Sequence, residues 1–377
     1  MRDEIWELRK KLHQFPELSG DEVETAHRIK SFILNHHPTQ IIDHIAGHGL
    51  AAVYRFSSEG PCVAIRCELD ALPIEERNQF QHKSTHPGIS HKCGHDGHMA
   101  IVSGLIFWIK EQSFDRGTII LLFQPSEENG QGAQKVMEDP RIDDLHIDYV
   151  FALHNIPGEP SNKILVMDKG FSAEVQSFAL FLHGKESHAS EPENGCNPAQ
   201  AMAEMILEIA KLNISDTRHE KFSILTPVHI TMGQKYYGIS PADGQMHYTI
   251  RTWDQSNMMR LKADLNKIFE THSQKYKLEY KVNWFEYFPA SENSDICNHV
   301  IVKSAIEKGL DITYKPYPFK FGEDFGWFSK KYESAMFGLG AGINTPPLHH
   351  AVYDFPDEIT NTGIEMFAGI ISNILSR

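Results

Sequence analysis

The sequence predicts an α/β layer protein interrupted by a smaller, inserted α+β domain. Three observations carry that expectation. Short apolar runs such as GTIILLFQ and YVFALH alternate with helical stretches towards both ends of the chain. Such runs are expected of strands buried on both faces of a largely parallel sheet. The middle of the chain switches to period-two alternation in the order strand, helix, strand, strand, helix, strand, which suits an open-faced, ferredoxin-like sheet with two helices on one side. The length of 377 residues is enough for two cores.

Taken in order, residues 3–36 read as a helix broken near residues 16–20, restarting through DEVETAHRIKSFIL with Ser19 or Asp21 as its cap. GLAAVYRF and PCVAIRCE read as neighbouring strands, and residues 98–110 as a buried helix. The pattern changes near Lys169. There EVQSFALFLHG, KFSILTPVHITMG, QMHYTIRTWD and KLEYKVNWFEYF read as strands, with helices in NPAQAMAEMILEIAKL and SNMMRLKADLNKIFETHSQKY. After about Phe288 helices and short strands alternate again, closing on a helix from Asp357. The expected organisation is a first domain of residues 1–168 and 288–377, with residues 169–287 inserted. There is no internal repeat and no low-complexity linker.

Composition narrows the function. No apolar stretch approaches the roughly 18–20 residues of a membrane span, which predicts a soluble protein. MRDEIWELRKKLHQF mixes both charge signs and lacks the apolar centre of a secretory signal, so a cytoplasmic location is expected. A net charge of −14 and only short basic runs argue against nucleic acid. Five cysteines in a chain of this length form no disulfide framework, whereas 22 histidines are unusual.

Three predicted strands end in residues able to bind metal. CVAIR runs into Cys67-Glu68-Leu69-Asp70, IILLFQ into Pro125-Ser126-Glu127-Glu128, and YVFAL into His154. In open α/β sheets the active crevice lies outside the carboxyl ends of the strands, so parallel strands would bring all three together. KCGHDGHMA, just before the buried helix, adds Cys93, His95 and His98 to that edge. Each element alone also has a plainer reading. Cys93 could be a redox thiol, Asp96 a helix cap, the two glutamates a solvated pair, His154 a core histidine, and Asp70 a turn former. Together they offer thiolate, imidazole and carboxylate, the ligand types of zinc and similar ions. A second glutamate beside a ligand glutamate is what metal-assisted hydrolysis needs as a base. PPLHHAVYDF contributes another pair, His349 and His350.

ELRKKLHQFPELSGDE, AIRCELDALPIEE, KCGHDGHMA, FQPSEENGQGA, ALHNIPG, GKESHASEPENGCNP, YTIRTWD, FGEDFGWF and LHHAVYDFPDE resemble, in order, the motifs of the aminoacylase-like metallo-amidohydrolases. That group includes hippurate hydrolase, indole-acetyl-amino-acid hydrolases and N-acetyldiaminopimelate deacetylase. The resemblance spans essentially the whole chain. It implies a metallopeptidase-type catalytic domain, and a dimerising inserted domain within a homodimer. It implies two divalent ions per subunit (Zn, Mn, Co or Ni) held by Cys93, His95, Glu128, His154 and His349. Glu127 matches the general base and Asp70 the aspartate that orients a ligand. His188 matches the histidine that reaches the neighbouring subunit's site, and Arg251 the arginine on the substrate carboxylate. The implied reaction is hydrolysis of an N-acyl-L-amino acid, with N-acetyl-diaminopimelate or hippurate-like substrates. A dipeptidase or carboxypeptidase of the same family, or a metal-binding scaffold without turnover, are the alternatives. Departures from the pattern are Glu68 for Asp, Cys67 for Ala, Glu186 and Ser187 for Gly-Gly, Tyr248 for Gly, and His350 and Ala351 for a small polar residue and Pro. They point to an altered acyl or amino-acid pocket.

Overall fold

A computed structural model describes residues 2–168 and 170–376. Lys169, where the sequence pattern changes, lies outside the described residues. The chain divides into two compact units. One comprises Met1–Phe171, Ser291–Pro318 and Glu323–Arg377, and the other Ser172–Ala290 with Phe319–Gly322. Among the described residues no helix is long and apolar enough to cross a membrane.

The first unit is built on an eight-stranded sheet. Its spatial order is Gln40–Ile45, Gly49–Arg55, Thr118–Gln124, Cys62–Glu68, Tyr149–Ile156, Glu333–Gly340, Ile164–Met167 and Ile312–Lys315. The four central strands, from Thr118–Gln124 to Glu333–Gly340, run parallel. They are buried along nearly their whole length, as their Ile, Leu, Val and Phe content demands. Helix His95–Ile109 packs on the sheet and against Arg2–Gln14 and Thr360–Leu375. Ile65, Ile101, Leu105, Phe123 and Ile371 meet in that core. Each such side chain contributes about 1.5–3 kcal/mol by leaving water.

Four local expectations are corrected. GLAAVYRF and PCVAIRCE are not neighbours, because Thr118–Gln124 lies between them, antiparallel to the first and parallel to the second. The link through residues 56–61 wraps the start of the intervening strand. Gly117 N donates to Glu59 O at 2.7 Å, and Thr118 N to Pro61 O at 3.0 Å. A contact that distant leaves no mark on the two local runs. Neither Ser19 nor Asp21 caps the second helix, Val23–Leu34. Instead the Glu17 carboxylate accepts Thr25 N at 2.7 Å and Glu24 N at 3.2 Å. The buried helix begins at His95 rather than His98, after Gly94 turns the chain with φ +97°. Asp96 does not cap it either. Its carboxylate lies 3.1 Å from Arg9 Nε and 2.8 Å from His13 Nδ1.

The second unit is a four-stranded antiparallel sheet in the order Glu279–Phe288, Glu174–His183, Asp243–Thr252, Ser223–Met232. Helices Ala199–Ala210 and Gln255–Lys275 pack with it around Phe178, Leu180, Met205, Met246, Leu265 and Phe269. Tyr248 lies inside this core, stacked on Phe178 at 5.2 Å between ring centroids.

One close approach holds the start of helix His95–Ile109. A methyl group added to Gly97 would lie 2.2 Å from ring carbons of Phe355. Gly97→Ala should therefore destabilise the protein by about 1–3 kcal/mol through overpacking. Phe355→Leu in the same chain should recover part of the loss, measured by denaturant unfolding.

Candidate metal centre

The register of the central strands decides which side chains meet. Glu68 pairs with Gln124, and Gly338 with His154, in parallel ladders. The chain therefore leaves the sheet into Asp70, into Ser126, Glu127 and Glu128, and past His154 at one edge. The helix starting at His95 brings Cys93 and His95 there. Cys93, His95 and His154 have donor atoms within 4.8 Å of one another, as do Cys93, Glu128 and His349, and His95, Glu127 and Glu128. Cys93 Sγ lies 3.5 Å from His154 Nε2, and Glu128 Oε1 3.9 Å from His95 Nε2 and 3.7 Å from His349 Nε2. Bonds of about 2.0–2.3 Å to a shared ion span such separations. All these side chains are buried except Glu128, which is partly buried, and His349, which is half exposed.

Hydrogen bonds set the imidazole tautomers. His95 Nδ1 donates to the Asp70 carbonyl at 2.8 Å, and His154 Nδ1 to the Asn155 carbonyl at 2.9 Å. A carbonyl can only accept, so each Nδ1 carries a proton, and in the neutral imidazole Nε2 is the nitrogen left to bind an ion. His98 differs. Its two nitrogens face Glu68 Oε2 at 2.7 Å and Asn155 Oδ1 at 2.6 Å. Both are occupied, so His98 supports the site rather than joining it, although Glu68, His95 and His98 also stand within metal-binding reach of one another.

The donor set fits a divalent cation. His95 Nε2, Glu128 Oε1 and Asp70 Oδ1 are buried without a hydrogen-bond partner. Unsatisfied buried polar atoms cost about 1–3 kcal/mol each, and a cation between His95 Nε2 and Glu128 Oε1 would satisfy both. The electrostatics point the same way. Burial, with Glu323, Glu128, Asp324 and Asp70 nearby, pushes the Glu127 carboxyl well above its usual range. Burial lifts Glu128 to about 7 against the pull of His95. Burial opposes charge on His95, yet Asp70, Glu68 and Glu128 outweigh it and raise its pKa to about 10. Burial and then His98 lower His154 to about 3. Burial, followed by Glu128 and Glu127, raises the Cys93 thiol. Glu127, Glu128, His95 and Cys93 thus hold protons that a divalent ion would displace, whereas His154 is already neutral.

Beneath the site lies a charge network that the strand-end pattern does not announce. The Arg66 guanidinium, wholly buried, bonds Glu68 and reaches Glu323 at 2.9 Å and Asp324 at 2.7 Å. Asp324 N faces Glu127 Oε1 at 3.4 Å. An arginine inside an otherwise apolar strand is the one local signal that could have marked it.

His188 and Arg251 belong to the second unit. His188 lies exposed on the two-residue strand Ser187–His188, paired with Ile239–Ser240, and its Nδ1 faces Ser190 Oγ at 2.6 Å. Arg251 is half-buried, donates to the Lys320 carbonyl at 2.7 Å, and has its pKa lowered by burial.

The sequence pattern described as Peptidase family M20/M25/M40 matches residues 64–373. The chain is 34% identical over 322 residues to the N-acetyl-L-cysteine deacetylase of Bacillus subtilis (strain 168), covering 85% of this chain and 76% of that protein. Among solved structures, the Bacillus subtilis YXEP protein, described as a dinuclear metal binding peptidase from the M20 family, superposes with a TM-score of 0.86 at 24% identity over 100% of this chain and 98% of that one. Aminopeptidase PepT from Bacillus cereus superposes with a TM-score of 0.76 at 17% identity, covering 100% and 99%. These two likenesses speak for the fold. The chain belongs to peptidase family M20/M25/M40, as an aminoacylase-like, metal-dependent amidohydrolase.

Proposed function

We propose that this chain hydrolyses the amide bond of N-acyl-L-amino acids at a centre of two divalent ions held by Cys93, His95, Glu128, His154 and His349. The observation that carries the reading is the pairing of Glu127 with Glu128 beside the orphaned His95 Nε2. A site built only for binding has no need of a second carboxylate there. N-acetyl-diaminopimelate, hippurate-like compounds and N-acetyl-cysteine, the substrate named for the Bacillus subtilis relative, are the first substrates to try. A dipeptidase would instead prefer unblocked dipeptides.

When bound, the ions supply a field that acidifies a water and polarises an acyl carbonyl. Glu127 takes the proton of the attacking water and delivers it to the leaving amine. Its carboxylate is held for that task by the Asp324 amide. Asp70 orients His95 through its carbonyl and the Glu128 amide through its Oδ2. Arg251 makes no ion pair among the described residues, which leaves its fork open for a substrate carboxylate. His188, exposed on its short strand, is assigned to the neighbouring subunit's site, where it would stabilise the oxyanion. A homodimer is supported by the edge strand Ser223–Met232, whose outer half exposes Val228 at 62% and Ile230 at 42%. An uncovered apolar edge invites pairing with another chain, and a second copy would cover it. We place the protein in the cytoplasm.

Glu127→Gln should lower kcat by about 10²–10⁴-fold while metal content per chain stays that of wild type. Loss of metal, measured by elemental analysis, would make Glu127 a ligand instead. Arg251→Ala should raise KM about tenfold or more for carboxylate-bearing substrates and little for their amides. Equal effects on both would remove its assigned role.

The metal-free protein should also lose stability as pH rises from about 7 to 10. His95 keeps its proton up to about 10 when folded, against 6.5 when unfolded. Its stabilisation is thus complete below 6.5 and lost as pH climbs through about 10. Glu127 is raised too, so its contribution has the same sign. The thermal midpoint should fall over this window, and the gain on adding manganese should grow. A midpoint flat with pH would contradict the charge balance described for the site.

A further inference from the structure

The stretch PELSGDE takes no part in the proposed reaction, yet its side chains end on the metal-site edge. Leu18 bridges Ala71 in parallel fashion, and Ala71 N donates to Glu17 O at 2.8 Å. Ser19 Oγ donates to Asp70 Oδ2 at 2.6 Å, and the same oxygen accepts the Glu128 amide at 3.0 Å. Two donors on one oxygen fix the plane of the carboxylate. Oδ1 is left 3.6 Å from His95 Nδ1.

Glu22 does a parallel job one turn of chain later. It is fully buried, and its Oε1 accepts Ser126 N at 2.7 Å and Ser126 Oγ at 3.3 Å. Ser126 has φ +55°, a left-handed backbone that is strained for a non-glycine residue. Nothing local to a serine offsets that strain, and the Glu22 carboxylate rewards the conformation through both its amide and its hydroxyl. Ser126 immediately precedes Glu127, so the bend that Glu22 holds is the one from which Glu127 and Glu128 project. The Glu17 carboxylate, bonded to the first turn of Val23–Leu34, keeps the stretch itself from moving.

We infer that Ser19 and Glu22 are positioning residues of the hydrolytic site: Ser19 sets the Asp70 carboxylate, and through it the Glu128 amide, while Glu22 sets the bend that aims Glu127 and Glu128. This rests on the hydrolase reading given above. A role in stability alone would hold the same contacts, so the test must separate placement from folding.

The full-length protein would be compared as wild type, Ser19→Ala, Ser19→Thr, Glu22→Ala and Glu22→Gln. Glu22→Gln keeps the acceptor oxygen, and Ser19→Thr keeps the hydroxyl. Three quantities are read: manganese affinity of the metal-free protein by calorimetry, kcat and KM at saturating manganese, and the thermal midpoint of the metal-free protein. The alanine variants should bind manganese about tenfold more weakly and lose about tenfold or more in kcat, in the range usual for residues supporting metal ligands, with KM within about twofold. The conservative variants should stay within about threefold of wild type. Unchanged affinity and kcat in the alanine variants would overturn the inference. So would losses that follow the metal-free midpoint, or conservative variants as impaired as alanine. Ser19 is only partly buried, so Ser19→Ala decides the matter if Glu22→Ala fails to fold. If wild type cleaves no N-acyl amino acid, the hydrolase reading fails, and the manganese titration still tests the placement.

Discussion

Buried negative charge is the constraint on which the first unit depends. Glu68, Asp70, Glu76, Asp96, Glu127, Glu323 and Asp324 are all removed from water. An isolated carboxylate cannot be buried ionised unless a cation or several donors answer it. The chain supplies two internal answers. Arg66 lies among Glu68, Glu323 and Asp324, while Arg9, His13 and Lys92 lie among Asp96, Glu76 and Asp354. What these cations leave unanswered is the group facing the strand-end edge: Glu127, Glu128 and the second oxygen of Asp70. Among these seven acids, the ones that no internal cation pairs with are those at the edge where an ion from outside would meet them.

The same two networks hold the candidate metal-binding residues in place. Asp96, one residue after His95, is tied to Arg9 and His13 on Arg2–Gln14, so the ion pair pins the first turn of helix His95–Ile109 to the amino-terminal helix. Small residues let that turn approach its neighbours. A methyl group on Gly94 would meet Asn155 Oδ1 at 2.5 Å. Lys92, beside Cys93, is held by Glu76 at 2.5 Å and the Tyr353 carbonyl at 2.7 Å, and its own carbonyl accepts the His349 amide. A main-chain hydrogen bond thus ties His349 to the residue before Cys93, and the ion pair with Glu76 fixes that lysine in place.

How much of this could be read from the sequence depends on the distance over which each feature is specified. Runs such as TIILLFQ declare buried strands because burial on both faces is a property of the run itself. Polar residues at the ends of three such runs mark an edge for the same local reason. The order of strands is different, since Thr118–Gln124 slips between two segments that are adjacent in the chain. Partners of buried charges are harder still. Arg66 meets Asp324 across 258 positions, and Ser126 meets Glu22 across 104. Ser19 shows the failure most clearly. Its position before a helix suggests a cap, and only the folded chain reveals that its hydroxyl is engaged by Asp70 while Glu17 does the capping.

The departures from the family pattern divide along the same line. Tyr248 fills the interior of the second unit's core against Phe178, so its bulk is a packing solution and not part of a pocket. Glu68 uses its extra methylene to reach both Arg66 and His98 beneath the candidate site. Cys67 is buried in the strand core. These three changes are absorbed by the scaffold. Glu186 and His350 are exposed, and each lies within two residues of a histidine given a role in the reaction. A side chain that no packing demands, next to a working residue, is free to respond to what that residue must handle. Neither of these two departures is fixed by packing, in contrast to the three that the scaffold absorbs.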